Sequence, residues 1–434
     1  MNVLHITAHL GGGVGKAHSS LCGADSSSIK RSYLLLETPR DPGYVDLLRQ
    51  LGADVMVAPD RETISSLAAM ADIVQVEWWN HPRLYECLCE TSWPAMRTLF
   101  WSHISGISAP FLPTRLLSGG DQFVFSSECS FAAPNVAALP RQTREKFRVV
   151  NSGFGLPSRI VDDGRRRSNA ISYLGTVDFV KMSPDIFRVA DEAGTPEAPV
   201  RLWGEVSPLS DVARTAATMK DPRRVRFMGQ TGDPADVFAQ TRIFLYLLQP
   251  QHLGTGENAL TEAMSCGCVP VVFNNPAEAA IVENGRTGFV VNSAAEATER
   301  LGWMMQNPDA VEEMGRRAAE WIMTTRMPAF SAAAFEKIYA ELLQVEKRQS
   351  DFRALLGNTA AEWFLSTKAL AGTTPENRDL WTGGRAAKGT IDHFLTCFPE
   401  DKSLISLIAG TTNDGRSPDH PNCPSQGLEA CVVA

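Results

Sequence analysis

The chain contains 434 residues, of which 44% are hydrophobic and 21% charged, and its formal net charge is −8. This length exceeds that of an ordinary single domain and predicts two α/β domains with an appendage. The negative charge argues against a protein that binds duplex nucleic acid. Nine cysteines, an odd number spread over a long chain, argue against a secreted disulfide framework.

The first half of the sequence alternates short β-branched runs with helix-length segments, which is typical of a parallel sheet covered on both faces. Predicted strands occupy residues 3–7, 33–36, 55–57, 73–76, 98–101, 123–126 and 147–150. Because the chain begins directly with a strand and has no run of ~18 apolar residues, we expect neither a signal peptide nor a membrane span. The expected location is therefore the cytoplasm, with peripheral contact at the inner face of the membrane left open.

A second series of strands follows a polar stretch, residues 157–168, that we interpret as a linker. These strands occupy residues 170–174, 200–203, 225–228, 243–247, 269–273 and 288–291, and predicted helices follow at 294–306, 310–323 and 332–348. The repeated alternation predicts two Rossmann-like domains, residues 1–155 and 165–345, that face a cleft. Residues 350–434 lack the alternation, and we treat them as an extension of unknown role with a loose segment at 413–427.

A glycine-rich loop follows the first predicted strand, at the end where open α/β sheets bind ligands. Residues 9–16 read His-Leu-Gly-Gly-Gly-Val-Gly-Lys, and they match neither the Walker nor the dinucleotide-binding template. Glycines before a helix let backbone N–H groups approach an anion, so we predict that Gly12 and Gly13 contact a phosphate or a sugar. A tight turn without a ligand is the alternative.

The second domain has a lysine after its first strand and a longer glycine-rich segment at residues 250–272. Lys181 would reach a diphosphate as a point charge. Free N–H groups at the predicted helix start would hold the same diphosphate; they belong to Gly256, Glu257, Asn258 and Ala259. Glu262, further along that helix, would accept hydrogen bonds from the vicinal hydroxyls of a ribose. Ordinary surface positions for Lys181 and Glu262 are the alternatives.

These segments resemble the retaining GT-B glycosyltransferases of family 4. The matching residues in the second domain are Pro250, Glu-Ala-Met at 262–264, Gly267, Pro-Val-Val at 270–272 and the stretch 275–288. Gly175 and Lys181 match the family's glycine and phosphate-binding lysine, and His103 matches a histidine near the reacting carbon. Asn-Ser-Gly at 151–153 resembles the family's interdomain turn. The resemblance covers about residues 1–345 and is stronger in the second domain.

The resemblance implies a hexosyltransferase that uses a nucleotide-diphosphate sugar and retains the anomeric configuration. The N-terminal domain would bind the acceptor, which is a glycan, a lipid-linked sugar or a small molecule, and the C-terminal domain would bind the donor. No metal ion and no cofactor is expected, since the helix start and Lys181 would neutralise the leaving diphosphate. The expected catalytic residues are His103, Lys181, Glu257 and Asn258.

Three positions depart from the family pattern. Gly254 stands where the family has the first glutamate of a glutamate pair, Thr176 replaces an arginine, and Gly256 replaces a phenylalanine. We predict that Glu257 or Asn258 contacts the donor sugar in place of the missing glutamate. Two other functions stay open: a catalytically inactive GT-B binding module, and an isomerase of the nucleotide-sugar 2-epimerase kind.

Overall fold

The computed structural model describes residues 1–26, 28–153, 170–252, 254–370 and 389–409. The predicted linker and the predicted loose segment lie outside these residues. The chain divides into two compact units: unit 1 consists of residues 1–126, 130–150 and the chain from 334 onward, and unit 2 consists of residues 127–129 and 151–333. Among the described residues, no helix has the length and apolar character that crossing a membrane requires.

Unit 1 is built on a seven-stranded parallel sheet with the order β3-β2-β1-β4-β5-β6-β7. Its strands are β1 (Asn2–Thr7), β2 (Lys30–Leu35), β3 (Asp54–Val57), β4 (Ile73–Trp78), β5 (Thr98–Ser102), β6 (Gln122–Phe125) and β7 (Arg148–Val149). The strand order reverses between β1 and β4. In open α/β sheets, ligands bind beyond the carboxyl ends of the strands at such a switch point.

Helices of unit 1 connect these strands. They are α1 (Gly12–Ala24), α2 (Gly43–Gln50), α3 (Arg61–Met70), α4 (Pro82–Glu90), α5 (Pro134–Ala137) and α6 (Arg141–Arg144). Local chemistry sets their starts: the Asp60 side chain accepts the N–H of Thr63 at the beginning of α3, and α4 has proline in its first turn. The β1–α1 connection is short and glycine-rich, so it presents its backbone at the switch point.

Unit 2 is built on a six-stranded parallel sheet with the order β10-β9-β8-β11-β12-β13. Its strands are β8 (Ala170–Leu174), β9 (Val200–Trp203), β10 (Val225–Gly229), β11 (Thr241–Tyr246), β12 (Val269–Phe273) and β13 (Phe289–Val291). Every residue of β11 is buried. This continuous burial is expected of a central strand that is covered on both faces.

The helices of unit 2 are α7 (Asp185–Ala193), α8 (Asp211–Ala217), α9 (Pro234–Gln240), α10 (Asn258–Ser265), α11 (Pro276–Ala279), α12 (Ala294–Gln306) and α13 (Pro308–Thr325). They are followed by α14 (Pro328–Leu343), which contains the boundary at residue 334. Both α13 and α14 begin two to four residues earlier than predicted, because proline is well suited to the first helical position.

The C-terminal extension is part of unit 1 and does not form a separate unit. Its described helices are α15 (Phe352–Leu356), α16 (Ala360–Ser366), α17 (Ile391–Cys397) and α18 (Lys402–Ala409). They contribute buried side chains to the same core as β1 and β4, namely Phe352, Leu356, Trp363, Phe364, Ile391, Phe394 and Leu404. Helices of five to eight residues are too short to show a clear 3.6-residue period, so sequence patterns did not reveal them.

Candidate active site

The loop between β11 and α10 in unit 2 places Glu257 in the protein interior. Glu257 is the N-cap residue of α10 and has a left-handed backbone, with φ 37° and ψ 61°. Its side chain is only 1% exposed. Glycines on either side of this position, at 254 and 256, give the loop the freedom to make the turn. A non-glycine residue in this conformation stores strain, which is typical of functional positions.

Glu257 is held by three polar side chains. The hydroxyl of Tyr246 donates to its Oε2 at 2.6 Å, and Nζ of Lys181 lies 3.3 Å from the same oxygen. Nδ1 of His252 lies 3.6 Å from Oε1. Burial alone would raise the pKa of Glu257, but Lys181, His252 and Tyr246 outweigh it and hold the pKa below its usual value. The carboxylate is therefore ionised at neutral pH.

Lys181 differs from Glu257 in its access to solvent, since its side chain is 31% exposed. Its ammonium also lies 5.7 Å from the ring centroid of Tyr246. The structure thus brings together the lysine and the glutamate that sequence analysis had placed near the donor. One is accessible and cationic, and the other is buried and anionic.

A second carboxylate extends this arrangement. Nε2 of His252 lies 3.0 Å from Oε2 of Glu278, and the Asn275 amide donates to Oε1 of Glu278 at 3.1 Å. Burial alone would lower the pKa of His252, but the two carboxylates at Glu278 and Glu257 raise it overall. Sequence analysis assigned no role to His252 or Glu278. The available signal was a glutamate in the short segment after β12, which the structure shows as helix α11.

The space around Gly254 is filled by the side chains of Glu257 and His252. A Cβ built on Gly254 would overlap Oε1 of Glu257 and lie 2.8 Å from Nδ1 of His252. The carboxylate of Glu257 therefore occupies the volume that a side chain at 254 would need.

The other predicted residues of this loop lie around α10. Gly256 and Asn258 line a small pocket with Asn151, Ser152, Gly153, Thr261 and Arg326. The guanidinium of Arg326 donates to Oδ1 of Asn151 at 2.6 Å. Ala259 is partly exposed on the first turn of α10, whereas Glu262 is buried on that helix. Asn258 thus borders the pocket, and Glu257 faces Lys181.

In unit 1, His103 follows β5 and contacts a fully buried carboxylate. Its Nε2 lies 2.8 Å from Oε2 of Glu77, which belongs to β4. Oε1 of Glu77 lies 2.8 Å from Nδ1 of His5 and accepts a hydrogen bond of 3.0 Å from Gln75, while Nε2 of His18 lies 3.1 Å from Oε2. Burial alone would raise the pKa of Glu77, but the three histidines hold it well below its usual value.

The network continues from His5 to the beginning of β2. Arg31 donates to Nε2 of His5 at 2.8 Å and to the hydroxyl of Tyr339 at 2.9 Å, and it pairs with Asp25. Because His5 accepts at Nε2, its proton lies on Nδ1 and faces Glu77. Burial lowers the pKa of His5 to about 3, so the ring is neutral.

Sequence analysis did not single out Glu77. The signal was present in β4, whose polar residues Gln75 and Glu77 are two positions apart and hence share one face. His5 lies directly beside Gln75 in the neighbouring strand. A polar stripe across two buried strands indicates a hydrogen-bonded network.

Gly12 and Gly13 are exposed at the first turn of α1, directly after the β1 loop. Gly12 has a φ of 54°, which a glycine adopts without strain. The side chain of His9, in the same loop, accepts the N–H of Gly11 at 3.0 Å. The loop lies where the strand order reverses between β1 and β4, and contact of Gly12 and Gly13 with a ligand stays a prediction.

Comparisons with known proteins bear on both units. The family model described as "Glycosyl transferases group 1" matches residues 168–307, which lie in unit 2. HepE of Anabaena, solved in complex with UDP and glucose, has a TM-score of 0.63 and 15% sequence identity, over 79% of this chain and 100% of that chain. The chain has the GT-B fold. This confirms the fold class predicted from the sequence.

Two further solved structures share the fold. A glycosyltransferase from Rickettsia africae has a TM-score of 0.62 at 14% identity, over 79% of this chain and 98% of that chain. Sucrose-phosphate synthase from Thermosynechococcus elongatus has a TM-score of 0.58 at 14% identity, over the same shares. A comparison with curated protein sequences finds no match for the chain.

Proposed function

We propose that the chain transfers a hexosyl group from a UDP-sugar to an acceptor, with retention of configuration and without a metal ion. The observation that carries this proposal is the Lys181–Glu257 pair beside the start of α10, in the segment that matches the glycosyltransferase family model. The choice of UDP is supported by HepE, whose structures were solved with UDP, with UDP and glucose, and with UDP-glucose.

Donor binding follows from the charges of unit 2. The N–H groups at the start of α10 and the ammonium of Lys181 would hold the diphosphate. Glu262, buried on the same helix, would accept hydrogen bonds from the ribose. The carboxylate of Glu257 would accept hydrogen bonds from hydroxyls of the donor sugar, because it fills the space beside Gly254 and stays ionised.

The reaction breaks the bond between the anomeric carbon and the phosphate oxygen, and it forms a bond from the acceptor oxygen on the same face. The acceptor proton passes to the leaving phosphate oxygen. Lys181 and the helix start stabilise the charge that develops on the diphosphate. The family resemblance implies that His103 lies near the reacting carbon, and we propose the same role here. Glu77 is then a positioning residue, because its carboxylate fixes the ring of His103.

An inactive binding module is the second candidate, and one observation favours it. The charge of Lys181 is already paired with Glu257. A module that binds a nucleotide without turning it over would tolerate this pairing, whereas a transferase needs Lys181 to move to the phosphates. Release of UDP from UDP-glucose distinguishes the two functions.

The proposal is tested by thermal shift and calorimetry with UDP, GDP, ADP and UDP-glucose, since a ligand that binds the native state stabilises it. Lys181→Ala is expected to weaken UDP binding by about 1.5–3 kcal/mol, as for a charge-assisted hydrogen bond. Lys220→Ala, at an exposed lysine of the same unit, is the matched control and should bind UDP normally.

Equal UDP affinity in the Lys181 variant and the Lys220 variant would refute the placement of the diphosphate. UDP binding without release of UDP from any donor would favour the inactive module. Binding of GDP or ADP in preference to UDP would show that the donor nucleotide carries guanine or adenine instead of uracil.

A further inference from the structure

The ion pair between Lys181 and Glu257 must open before the donor can bind in the proposed way. Nζ of Lys181 lies 3.3 Å from Oε2 of Glu257, and the proposed function requires the ammonium to turn to the diphosphate. The side chain of Glu257 is only 1% exposed, so the carboxylate that Lys181 leaves is poorly hydrated. A buried charge that loses its partner is strongly destabilising. Donor binding therefore calls for a second cation beside Glu257.

His252 is the side chain that can supply this cation. Its Nδ1 lies 3.6 Å from Oε1 of Glu257, and its Nε2 lies 3.0 Å from Oε2 of Glu278. The imidazole is 5% exposed, so it is enclosed between the two carboxylates. Tyr246 also donates to Glu257, but burial raises the pKa of its hydroxyl well above the usual value, and it stays neutral. His252 is the only histidine in the sequence of unit 2.

The hydrogen bonds of the two ring nitrogens show what protonation of His252 would change. The N–H of Gly254 donates to Nδ1 at 3.0 Å. A neutral imidazole that accepts at Nδ1 carries its proton on Nε2, which here faces Glu278. A further proton on Nδ1 would displace the N–H of Gly254 and would have Oε1 of Glu257, at 3.6 Å, as an acceptor. Glycine at position 254 gives the backbone the freedom to make this adjustment.

The charged groups around His252 favour this proton once Lys181 has moved. Burial lowers the pKa of His252, the carboxylates of Glu278 and Glu257 raise it, and the ammonium of Lys181 lowers it. The Asn275 amide, which donates to Oε1 of Glu278, is uncharged. When Lys181 turns to the diphosphate, the ligand neutralises its charge, and the two carboxylates act on His252 without that opposition. The pKa of His252 should therefore be higher with the donor bound than without it.

We propose that His252 is a positioning residue, which takes up a proton at Nδ1 when Lys181 turns to the diphosphate and so replaces Lys181 as the partner of Glu257. The proton comes from solvent, and the ring passes from neutral to cationic. Glu257 then stays ionised and in place to accept hydrogen bonds from the donor sugar. This inference rests on the proposed function, in which Lys181 binds the diphosphate. It implies that donor binding is accompanied by proton uptake.

The first test needs no ligand. Lys181→Met removes the ammonium but keeps most of the side-chain volume, so Glu257 loses its cation as it would on donor binding. The protonation of His252 is followed by ¹⁵N NMR of the histidine rings, and its resonances are identified by their absence in His252→Asn. We expect His252 to titrate at a higher pH in Lys181→Met than in the wild type. Lys220→Met, at an exposed lysine of the same unit, is the matched control and should leave the titration unchanged.

Titration of His252 in Lys181→Met at the wild-type pH, or below it, would overturn the proposal. Such a result would mean that Glu257 itself takes up the proton when Lys181 is lost.

The second test is calorimetry with UDP-glucose, whose diphosphate is esterified at both ends and does not titrate near neutral pH. Measurements between about pH 6 and 8.5, in buffers of different ionisation enthalpy, give the number of protons bound. The wild type should take up as much as about one proton per UDP-glucose, and its affinity should fall by up to about tenfold per pH unit as the pH rises through this window. His252→Asn should bind more weakly and without this pH dependence.

Binding of UDP-glucose by the wild type with no proton uptake and a flat pH profile would also overturn the proposal. Proton uptake that persists in His252→Asn would do the same, because another group would then be the one that titrates. If no UDP-glucose binds at any pH while the NMR titration shifts as expected, the proposed donor is wrong and the role of His252 beside Glu257 is supported.

Discussion

Glu77 in unit 1 and Glu257 in unit 2 are both buried carboxylates with polar partners, and their surroundings are built differently. Glu77 lies inside a strand and is enclosed by His5, His18, His103 and Gln75. Glu257 lies on a strained loop and pairs with a lysine that is 31% exposed. The first arrangement fixes the positions of rings. The second leaves the ammonium of Lys181 partly accessible to solvent.

The largest expected difference between the two concerns stability. Glu77→Gln places an amide N–H₂ group against imidazole donors, and it should lower the free energy of unfolding by about 3–6 kcal/mol, as for the loss of two hydrogen bonds to a charged group. Glu257→Gln should cost about 1–2 kcal/mol, because Lys181 can turn to solvent. Urea unfolding measures both, with the exposed Glu62→Gln as the control. Equal stability of the Glu77 and Glu62 variants would contradict the enclosed network.

The second difference concerns where a carboxylate is needed for turnover. Glu257→Gly suits the left-handed backbone and removes only the side chain, and it should lower kcat/KM for UDP-sugar by roughly 10- to 100-fold. Adding Gly254→Glu to this variant puts a carboxylate back into the same space and should restore at least about tenfold. Gly254→Ala alone should be impaired, because its Cβ would overlap Glu257. A double variant no better than Glu257→Gly would show that the space beside Gly254 is not where the carboxylate acts.

The third difference is in the response to pH. Burial lowers the pKa of His5 to about 3 in the folded protein, so the unfolded chain binds this proton first as the pH falls. The free energy of unfolding should therefore decrease between about pH 6.5 and pH 3, by up to about 1.4 kcal/mol per pH unit. The lowered pKa of Glu77 adds to this loss below about pH 4.5. His252 has a raised pKa, so its contribution is present below about pH 6.5 and is lost as the pH rises through the folded value.

Melting temperatures between pH 4.5 and 7.5 check these signs. His5→Gln should make the fall in acid shallower, whereas His252→Asn should make it steeper. If His252→Asn instead flattens the profile, the histidine is not charged between its two carboxylates in the folded protein.

The smallest expected effect belongs to Asn258. Its side chain borders the pocket near Arg326 rather than the Lys181–Glu257 pair. Asn258→Ala should therefore change turnover of the UDP-sugar by no more than about threefold, within the range of a single neutral hydrogen bond. A larger loss than that of Glu257→Gly would transfer the role of the missing glutamate to Asn258.

Sequence patterns located every strand among the described residues, because a parallel sheet covered on both faces needs continuous apolar runs such as β11. They also placed Lys181 and the loop around Glu257 by resemblance. They did not show that the two would form an ion pair, since this contact depends on the left-handed turn at Glu257. Sequence analysis missed Glu77 because the side chains around it come from separate parts of the chain, from His5 to His103. The helices of the extension were missed because they are short.

The core of unit 1 contains side chains from both ends of the chain, Leu4 near its beginning and Leu404 near its end. During synthesis, unit 2 is complete once residue 333 has left the ribosome. The unit 1 core is completed later, because the apolar surface beside α4 is covered by α15, α16 and α17, which are made after unit 2. At ordinary translation rates the delay is on the order of ten seconds. We therefore expect the early-made half of the protein to be the one that depends on chaperones, and the later-made half to fold first.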